Sequence, residues 1–174
     1  GAPDPLSWIG PLMKLQRIDY RISLLRSAAL HVSSPQAAIV FQIVAPRQLR
    51  NFNIGRHRLQ FLYHVAESFA QVNTPNLVGK MKSDTGFANV AGVELTLLDC
   101  VRYFHKATGI NGVAQIARDI GAKANPRRLA KAAAAYENSA VRRLGYLLDQ
   151  VGHGRQAHAL EPFVKRAKTM LPLD

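Results

Sequence analysis

The stretch VELTLLDCVRYF, residues 93–104, decides the fold that this sequence predicts. At helical spacing, one face of it carries Val93, Leu97, Cys100, Val101 and Phe104. Two further leucines widen this apolar face well beyond an ordinary amphipathic stripe. We therefore expect a helix at the centre of the core, covered on most of its sides. A narrow polar strip of Asp99, Arg102 and Lys106 is left to meet water or one another.

Length and cysteine content predict one ordinary domain that needs no covalent staple. A chain of 174 residues can bury roughly 70% of the surface that its unfolded form exposes. Its single cysteine cannot form an internal disulfide, and the apolar surroundings predict a buried thiol in a reducing compartment. No apolar run reaches the roughly 20 residues that span a bilayer, and the start lacks a signal-peptide pattern. We therefore predict a cytoplasmic protein with no membrane partner. Its start at Gly1 suggests a fragment of a longer protein.

The net charge of +12 is the strongest bulk signal. Through Ala91 there are 10 Lys and Arg against 4 Asp and Glu, and from Gly92 onward there are 13 against 7. Because each part carries the same excess, the charge belongs to a basic folded body rather than to a detachable tail. Such a body attracts polyanions, so we predict a nucleic-acid partner. The alternative is a solvated basic surface that serves solubility alone.

The first half of the chain predicts a small sheet with two helices. Residues 1–18 hold several prolines and are predicted to be a linker or strap. Asp19 is a suitable N-cap for a helix over residues 20–31. Four strands are predicted after it, over residues 38–45, 58–63, 77–82 and 87–90. The first of these strands is apolar on both faces, as expected of a central strand. Residues 65–72 predict a short helix between the second and third strands.

The second half of the chain has helical periodicity throughout. Helix starts are predicted at Asn111, at Asn125 followed by Pro126, and at Asn138 or Ser139, with a last helix over residues 155–170. The predicted fold class is therefore α+β, with a sheet of about four strands in the first half packed on the central helix and a C-terminal helical cluster. We expect a single domain over residues 1–174, with a helix-plus-sheet half at 19–91 and a helical half at 92–174.

Signals for catalysis, metals and cofactors are weak. The eleven carboxylates are scattered, with no pair at a spacing that places two of them on one metal ion. The histidines show no i, i+4 ligand pair, and one cysteine cannot build a zinc site. No phosphate-binding glycine loop or nucleophile elbow occurs. We therefore predict a non-enzyme with no catalytic residues, no metal and no cofactor, and the alternative of a metal-dependent nuclease is disfavoured.

Five segments of the chain together resemble one known family. They are SLLRSAALH (23–31), VFQIVAPRQLR (40–50), IGRHRLQF (54–61), VELTLLDC (93–100) and RRLGYLLD (142–149). In this order they resemble the AbiEi family of antitoxins from type IV toxin-antitoxin systems, in the region that follows the winged helix-turn-helix of those proteins. The family usually has a small hydroxyl residue and a proline before the glutamate of VELTLLD. Here Ala91, Gly92 and Val93 stand before it, so the helix entry differs.

The resemblance implies an antitoxin and transcriptional regulator that acts in abortive infection. It implies a functional partner, the cognate nucleotidyltransferase toxin that this antitoxin counteracts. The family represses its operon through the N-terminal winged helix, and this chain shows no such domain before residue 20. The antitoxic half is therefore the part expected here. The family brings no catalytic residues to carry over.

Two sets of basic residues are candidates for nucleic-acid contact. The first set lies around the second predicted strand, with two lysines on a strand taken to be its neighbour; it consists of Arg47, Arg50, Arg56, Arg58, Lys80 and Lys82. Each phosphate that such residues contact releases counterions and makes the affinity depend on salt. The alternative for this set is a solvated edge of the sheet that deters strand pairing.

The second set lies on a predicted helical pair over residues 113–136. Its sequence, VAQIARDIGAKANPRRLAKAAAAY, can form a helix-turn-helix whose second helix begins with Arg127, Arg128 and Lys131. Those side chains would reach phosphates or base edges. The turn is somewhat long and the second helix is rich in alanine, so an ordinary packed helical pair is the alternative. The competing function is a stand-alone helix-turn-helix DNA-binding regulator.

Overall fold

The computed structural model describes residues 4–32 and 40–163. They form two compact units, Gly1–Gly92 and Val93–Asp174, and each unit is described by itself. The division falls within one residue of the predicted boundary between the sheet half and the helical half. That the two halves fold as one domain stays a prediction. The α+β class is confirmed, since the sheet lies in the first unit and the second unit is helical.

The first unit contains a six-stranded mixed sheet rather than one of about four strands. Its elements are α1 (Pro5–Gln16), β1 (Arg21–Ser23), α2 (Leu24–His31), β2 (Val40–Ala45), β3 (Phe52–Ile54), β4 (His57–Tyr63), α3 (Ala66–Val72), β5 (Val78–Ser83) and β6 (Gly86–Ala91). The strand order is β3-β4-β2-β1-β6-β5. Strand β2 lies parallel to β4 and β1 lies parallel to β6, and the other neighbours are antiparallel. The central position predicted for β2 is confirmed.

Strand β1 corrects the helix predicted over residues 20–31. Residues 21–23 are extended, and the helix begins at Leu24, whose φ of 53° marks the break. Ile22 is fully buried and pairs with Ile43 of β2 and Val90 of β6. Asp19, the predicted cap, accepts a hydrogen bond from the adjacent Tyr20 N at 2.9 Å. Pairing on both sides of β1 therefore overrides the local helical pattern, because a central strand satisfies its backbone groups through neighbours distant in sequence.

Helix α1 corrects the prediction that residues 1–18 are a linker or strap. Asp4 caps the helix by accepting a hydrogen bond from Leu6 N at 2.9 Å, and Ile9 and Met13 are buried in the core. A proline inside the helix, Pro11, lacks the N–H that would bond the carbonyl four residues earlier. That carbonyl belongs to Ser7, and it accepts a hydrogen bond from the Thr85 hydroxyl instead. The prolines of this segment are thus compatible with a docked helix.

The second unit is a cluster of helices that contains the stretch VELTLLDCVRYF. Its elements are α4 (Val93–Arg102), a 3-10 turn (Phe104–Lys106), α5 (Gly109–Ile120), a second 3-10 turn (Gly121–Lys123), α6 (Pro126–Ala133), α7 (Asn138–Gln150) and α8 (Gly154–Ala159). Helix α4 contacts α5, α6 and α7. Leu97, Cys100 and Val101 have no exposed surface, so the predicted buried helix is confirmed. The predicted last helix over residues 155–170 extends beyond Phe163, outside the described residues.

The polar strip predicted on α4 is in part buried. Asp99 has no exposed surface, and it accepts a hydrogen bond from the Tyr136 hydroxyl at 2.6 Å. Arg102 forms an ion pair with Glu137 at 3.1 Å. Of the two alternatives predicted for Asp99, contact with water is wrong, because a tyrosine distant in sequence supplies the hydrogen-bond partner that makes its burial tolerable.

Candidate nucleic-acid interface

The nine basic residues predicted to contact nucleic acid are all exposed. Within residues 4–32 and 40–163, the ion pairs Arg26–Asp4, Arg102–Glu137 and His158–Glu161 involve none of the nine. Their charges are therefore available to an anionic partner. They lie at three places, which are the segment from the end of β2 to the start of β4, strand β5 and helix α6.

The arginines around β4 are spread along its length. Arg58 lies opposite Val40 at the start of the strand, and Ala45 lies opposite Tyr63 at its end. Arg47 follows β2 just after that end, so it lies toward the end of β4 opposite to Arg58. The segment between them returns along β4, where Phe61 N donates to Asn51 Oδ1 at 2.8 Å. Arg50 precedes this contact and Arg56 lies in the β3–β4 turn. The four arginines therefore form a line rather than a compact cluster.

Lys80 and Lys82 do not join that line. They lie on β5, which is the edge of the sheet opposite to β3. Four strand spacings, about 19 Å, separate β5 from β4. The prediction that these lysines are on a strand neighbouring the arginines was wrong, because the strand order depends on long-range pairing that local patterns do not encode. Across β5 and β6, Lys80 lies opposite Asn89 and Lys82 lies opposite Phe87.

Helix α6 brings its three basic residues together on one face. Arg127, Arg128 and Lys131 are exposed and fall within an arc of about 100° at helical spacing. The opposite face buries Leu129 and two alanines. Asn125 caps the helix by accepting a hydrogen bond from Arg128 N at 3.0 Å, as the Asn-Pro signal predicts.

The predicted helix-turn-helix consists of α5, residues 121–125 and α6. Its second helix has 8 residues and is therefore about 12 Å long. The structure supports α6 through α4 and α8, whereas α5 packs against α4 and α7. Reading of base edges by α6 stays a prediction.

Two further groups of residues lie outside the sequence predictions. On α7, Tyr146 is 64% exposed, and the Arg143 guanidinium lies 4.4 Å from the centre of the Phe104 ring. Phe104 was assigned to the core, yet it is partly exposed. In the first unit, a cavity of about 240 Å³ is lined by residues that include Lys14 and Lys80. Both groups combine residues from separate elements, so no local sequence signal could have identified them.

The described part of the chain contains neither a metal-ligand cluster nor a membrane-spanning helix. Across residues 4–32 and 40–163, no group of three or more His, Cys, Asp or Glu side chains is placed to hold a metal ion. Over the same residues, no helix has both the length and the apolar character needed to cross a bilayer.

A family model matches most of this chain. The family model described as the AbiEi antitoxin C-terminal domain matches residues 21–150, from the start of β1 to the end of α7. The chain belongs to the AbiEi antitoxin C-terminal domain family. The five segments that resemble AbiEi proteins all lie inside the matched range, so the resemblance is confirmed. The matched model describes the C-terminal domain of AbiEi antitoxins, so membership concerns this domain.

A solved structure shares the fold of this chain. The chain is similar to the crystal structure of the RV2827C protein from Mycobacterium tuberculosis, with 20% sequence identity and a TM-score of 0.58. The similarity covers 92% of this chain and 58% of that chain. At this identity the likeness concerns the fold alone. No curated protein matches the chain.

Proposed function

We propose that this chain is the antitoxic domain of a type IV toxin-antitoxin system and that it counteracts a nucleotidyltransferase toxin without catalysing a reaction itself. The observation that supports this proposal is the AbiEi family match over residues 21–150, which includes strands of the first unit and helices of the second. The proposed functional partner is the cognate toxin. In this proposal the domain acts in the cytoplasm and contributes to transcriptional regulation together with the rest of its parent protein.

Rescue of growth tests the antitoxic role. The toxin encoded beside the parent gene is expressed from an inducible promoter, with the full-length parent protein expressed from a second plasmid. The proposal expects the full-length parent to restore growth. A parent protein that ends before β1, and therefore lacks this domain, is expected not to restore growth. An intact parent that leaves the toxin fully active would refute the assignment.

We further propose that the domain contacts nucleic acid through the exposed face of α6. The three cations on this face share one rigid helix, whereas the arginines around β4 are spread along a strand. Clustered cations on a helix can contact successive phosphates, and each contact releases counterions. The net charge of +12 adds a long-range attraction that steers such a partner to the surface.

A pair of matched double variants tests the α6 surface. Arg127→Ala with Arg128→Ala removes two cations of α6, and Arg142→Ala with Arg155→Ala removes two exposed cations elsewhere on the second unit. Binding to a fluorescent duplex is measured over a range of salt concentrations. If both α6 arginines contact phosphates, the salt dependence weakens by about two units of slope, since each phosphate contact contributes about one. The control pair is expected to keep the original slope.

Equal losses for the two double variants would show that bulk charge, rather than α6, is responsible for binding. The same measurement distinguishes the alternative function of a helix-turn-helix DNA-binding regulator. That alternative is favoured by the exposed arginines in the first turn of α6. It requires the protein to bind the operator duplex more tightly than a scrambled duplex. The α6 variant should reduce the ratio of these two affinities. An antitoxin domain that contacts phosphates alone shows no such ratio.

A further inference from the structure

A cavity of about 240 Å³ lies in the first unit. It lies beside the start of β6 and is lined by residues of α1, of the segment before β1, and of β5 and β6. Its polar lining includes Lys14, Asp19, Tyr20, Lys80 and Asn89. We call this cavity the β6 pocket.

The β6 pocket exists because β1 is shorter than the strand beside it. Strand β1 pairs with β6 at Ile22 and Val90, and it does not extend beside the first residues of β6. Tyr20 covers this part of β6. Its hydroxyl accepts a hydrogen bond from Asn89 N at 3.1 Å, and its carbonyl accepts one from Asn89 Nδ2 at 3.1 Å. The wall of the pocket is thus built from backbone and side-chain hydrogen bonds, so it is preformed.

Helix α1 closes the pocket on a second side. Gly10 approaches β6 so closely that an added Cβ would lie 2.7 Å from the Phe87 carbonyl oxygen. This contact places the last turn of α1, which carries Lys14, beside the pocket. The position of Lys14 therefore depends on backbone packing rather than on a flexible loop.

The charges of the β6 pocket favour an anion. Lys80 Nζ donates a hydrogen bond to Asn89 Oδ1, which holds its ammonium group against the pocket wall. Lys14 supplies the second positive charge. The one acid in the lining, Asp19, has both carboxylate oxygens engaged: Oδ1 accepts from Tyr20 N at 2.9 Å and Oδ2 accepts from Asn73 Nδ2 at 3.1 Å. Two lysines against this one aspartate leave the lining with a net positive charge.

The Tyr20 hydroxyl adds a hydrogen-bond donor to the pocket. Burial is the main cause that raises the pKa of Tyr20, so the hydroxyl keeps its proton at neutral pH. The oxygen already accepts from Asn89 N, which leaves the O–H to donate. Two ammonium groups and a hydroxyl are the donors that a phosphate group requires.

An aromatic surface lies at the rim. Phe87 lines the pocket, and its side chain is 62% exposed. It lies directly opposite Lys82 across the β5–β6 pair. An exposed phenyl ring beside cations is the arrangement on which nucleic-acid bases stack. The volume of about 240 Å³ is below the roughly 300 Å³ at which pockets enclose a drug-sized ligand. A phosphate can therefore enter the pocket while a base remains outside on Phe87.

From these contacts, we propose that the β6 pocket binds a nucleotide, with the phosphate between Lys14 and Lys80 and the base stacked on Phe87. The ligand is either a free nucleotide or the terminal nucleotide of a single strand, since both present the same phosphate and base. This inference goes beyond the proposed function, because neither toxin rescue nor the α6 surface involves this pocket.

Calorimetric titration of the full chain tests the proposal with three small ligands. They are AMP, adenosine and inorganic phosphate. The proposal expects saturable binding of AMP at millimolar concentration or below, with both adenosine and phosphate bound more weakly. Absence of AMP binding, or equal affinities for AMP and adenosine, would overturn it.

Two variants assign the binding to the β6 pocket. Lys80→Met is expected to weaken AMP binding about fivefold or more and to leave adenosine binding unchanged, because it removes one phosphate contact. Phe87→Ala is expected to weaken AMP binding about tenfold and to leave phosphate binding unchanged, because it removes the stacking surface. Matched controls are Lys106→Met, an exposed lysine of the second unit, and Leu15→Ala, an exposed apolar residue of α1.

If Phe87→Ala fails to fold, Phe87→Leu retains apolar bulk and still removes the ring. Loss of AMP binding in the controls as well as in the pocket variants would contradict the assignment to this site.

The last arm identifies the source of the nucleotide. A short single-stranded oligonucleotide with a 5′ phosphate is compared with the same strand carrying a 5′ hydroxyl. If the phosphorylated strand binds more tightly than AMP, and Lys80→Met abolishes this tighter binding, the ligand is the terminal nucleotide of a single strand. Tighter binding of AMP indicates a free nucleotide. Both results support the pocket, and neither depends on toxin rescue, so failure of the antitoxin proposal leaves this measurement intact.

Discussion

Removal of one hydroxyl at the centre of the second unit gives a sharp test of how its core is stabilised. The Tyr136 hydroxyl donates to Asp99 Oδ1 at 2.6 Å, and the two residues are 6% and 0% exposed. Tyr136→Phe deletes the donor and keeps the ring, so it creates almost no cavity. A hydrogen bond to a carboxylate contributes about 1.5–3 kcal/mol, and water cannot replace the lost donor at a fully buried oxygen. We expect the free energy of unfolding to fall by about that amount.

Urea denaturation followed by circular dichroism measures the change, with the midpoint and the slope fitted separately. The matched control is Tyr146→Phe on α7, where the side chain is 64% exposed. A surface substitution of this kind is expected to change the free energy of unfolding by no more than about 0.5 kcal/mol. A Tyr136→Phe variant as stable as the control would show that the buried hydrogen bond does not stabilise the unit, and the reasoning would be refuted.

Four further outcomes follow from the same structure. Gly145→Ala is expected to raise the free energy of unfolding, measured by urea denaturation, by about 0.5–1 kcal/mol, because alanine favours a helix more than glycine does. The added Cβ would lie 3.7 Å from Leu160 Cβ, an ordinary van der Waals contact. A loss of stability would contradict this contact. Gly121→Ala is expected to destabilise the protein by about 1–3 kcal/mol, because the added Cβ would lie 2.6 Å from a carbon of the His153 ring. An unchanged urea midpoint would contradict this expected clash. Burial raises the pKa of the Cys100 thiol, so a thiol reagent should leave the native protein unmodified at mildly alkaline pH and react fully in urea; rapid native labelling would show that α4 is accessible. Burial also raises the pKa of Tyr20, so its contribution to stability is complete below the unfolded pKa of about 10 and is lost as the pH rises toward the folded value. The Tyr20→Phe variant should therefore lose less stability than the unmodified protein over that alkaline range. Identical pH profiles of stability would contradict the raised pKa of Tyr20.

Part of the candidate interface was accessible from sequence because it is local. The Asn125-Pro126 start and the helical spacing that follows place Arg127, Arg128 and Lys131 on one exposed face, as the structure shows. An N-cap and a 3.6-residue period act over a single turn, so local residues suffice to specify them.

The β6 pocket had no such local signal. Lys14 and Lys80 are separated by most of the first unit in sequence, and a docked helix and a strand bring them to one cavity. A segment rich in proline was interpreted as a linker, yet an apolar pair, Ile9 and Met13, anchors it on the sheet. Burial against distant residues determines this placement.

Helix α5 starts at Gly109, two residues before the predicted Asn111. The sequence by itself determined where α6 and α7 start, that residues 93–104 hold the buried helix, and that β2 is a central strand. Those properties follow from caps, periodicity and continuous apolar runs, which act between residues close in the chain. Tertiary structure alone decided that residues 21–23 form a strand, that Lys80 lies on the edge opposite the arginines, and that Asp99 is buried. Each of these depends on a partner far away in sequence: Val90 for β1, Ile22 for the β5–β6 hairpin, and Tyr136 for Asp99. Pairing and burial of this kind lower the free energy only after residues distant in sequence have come into contact.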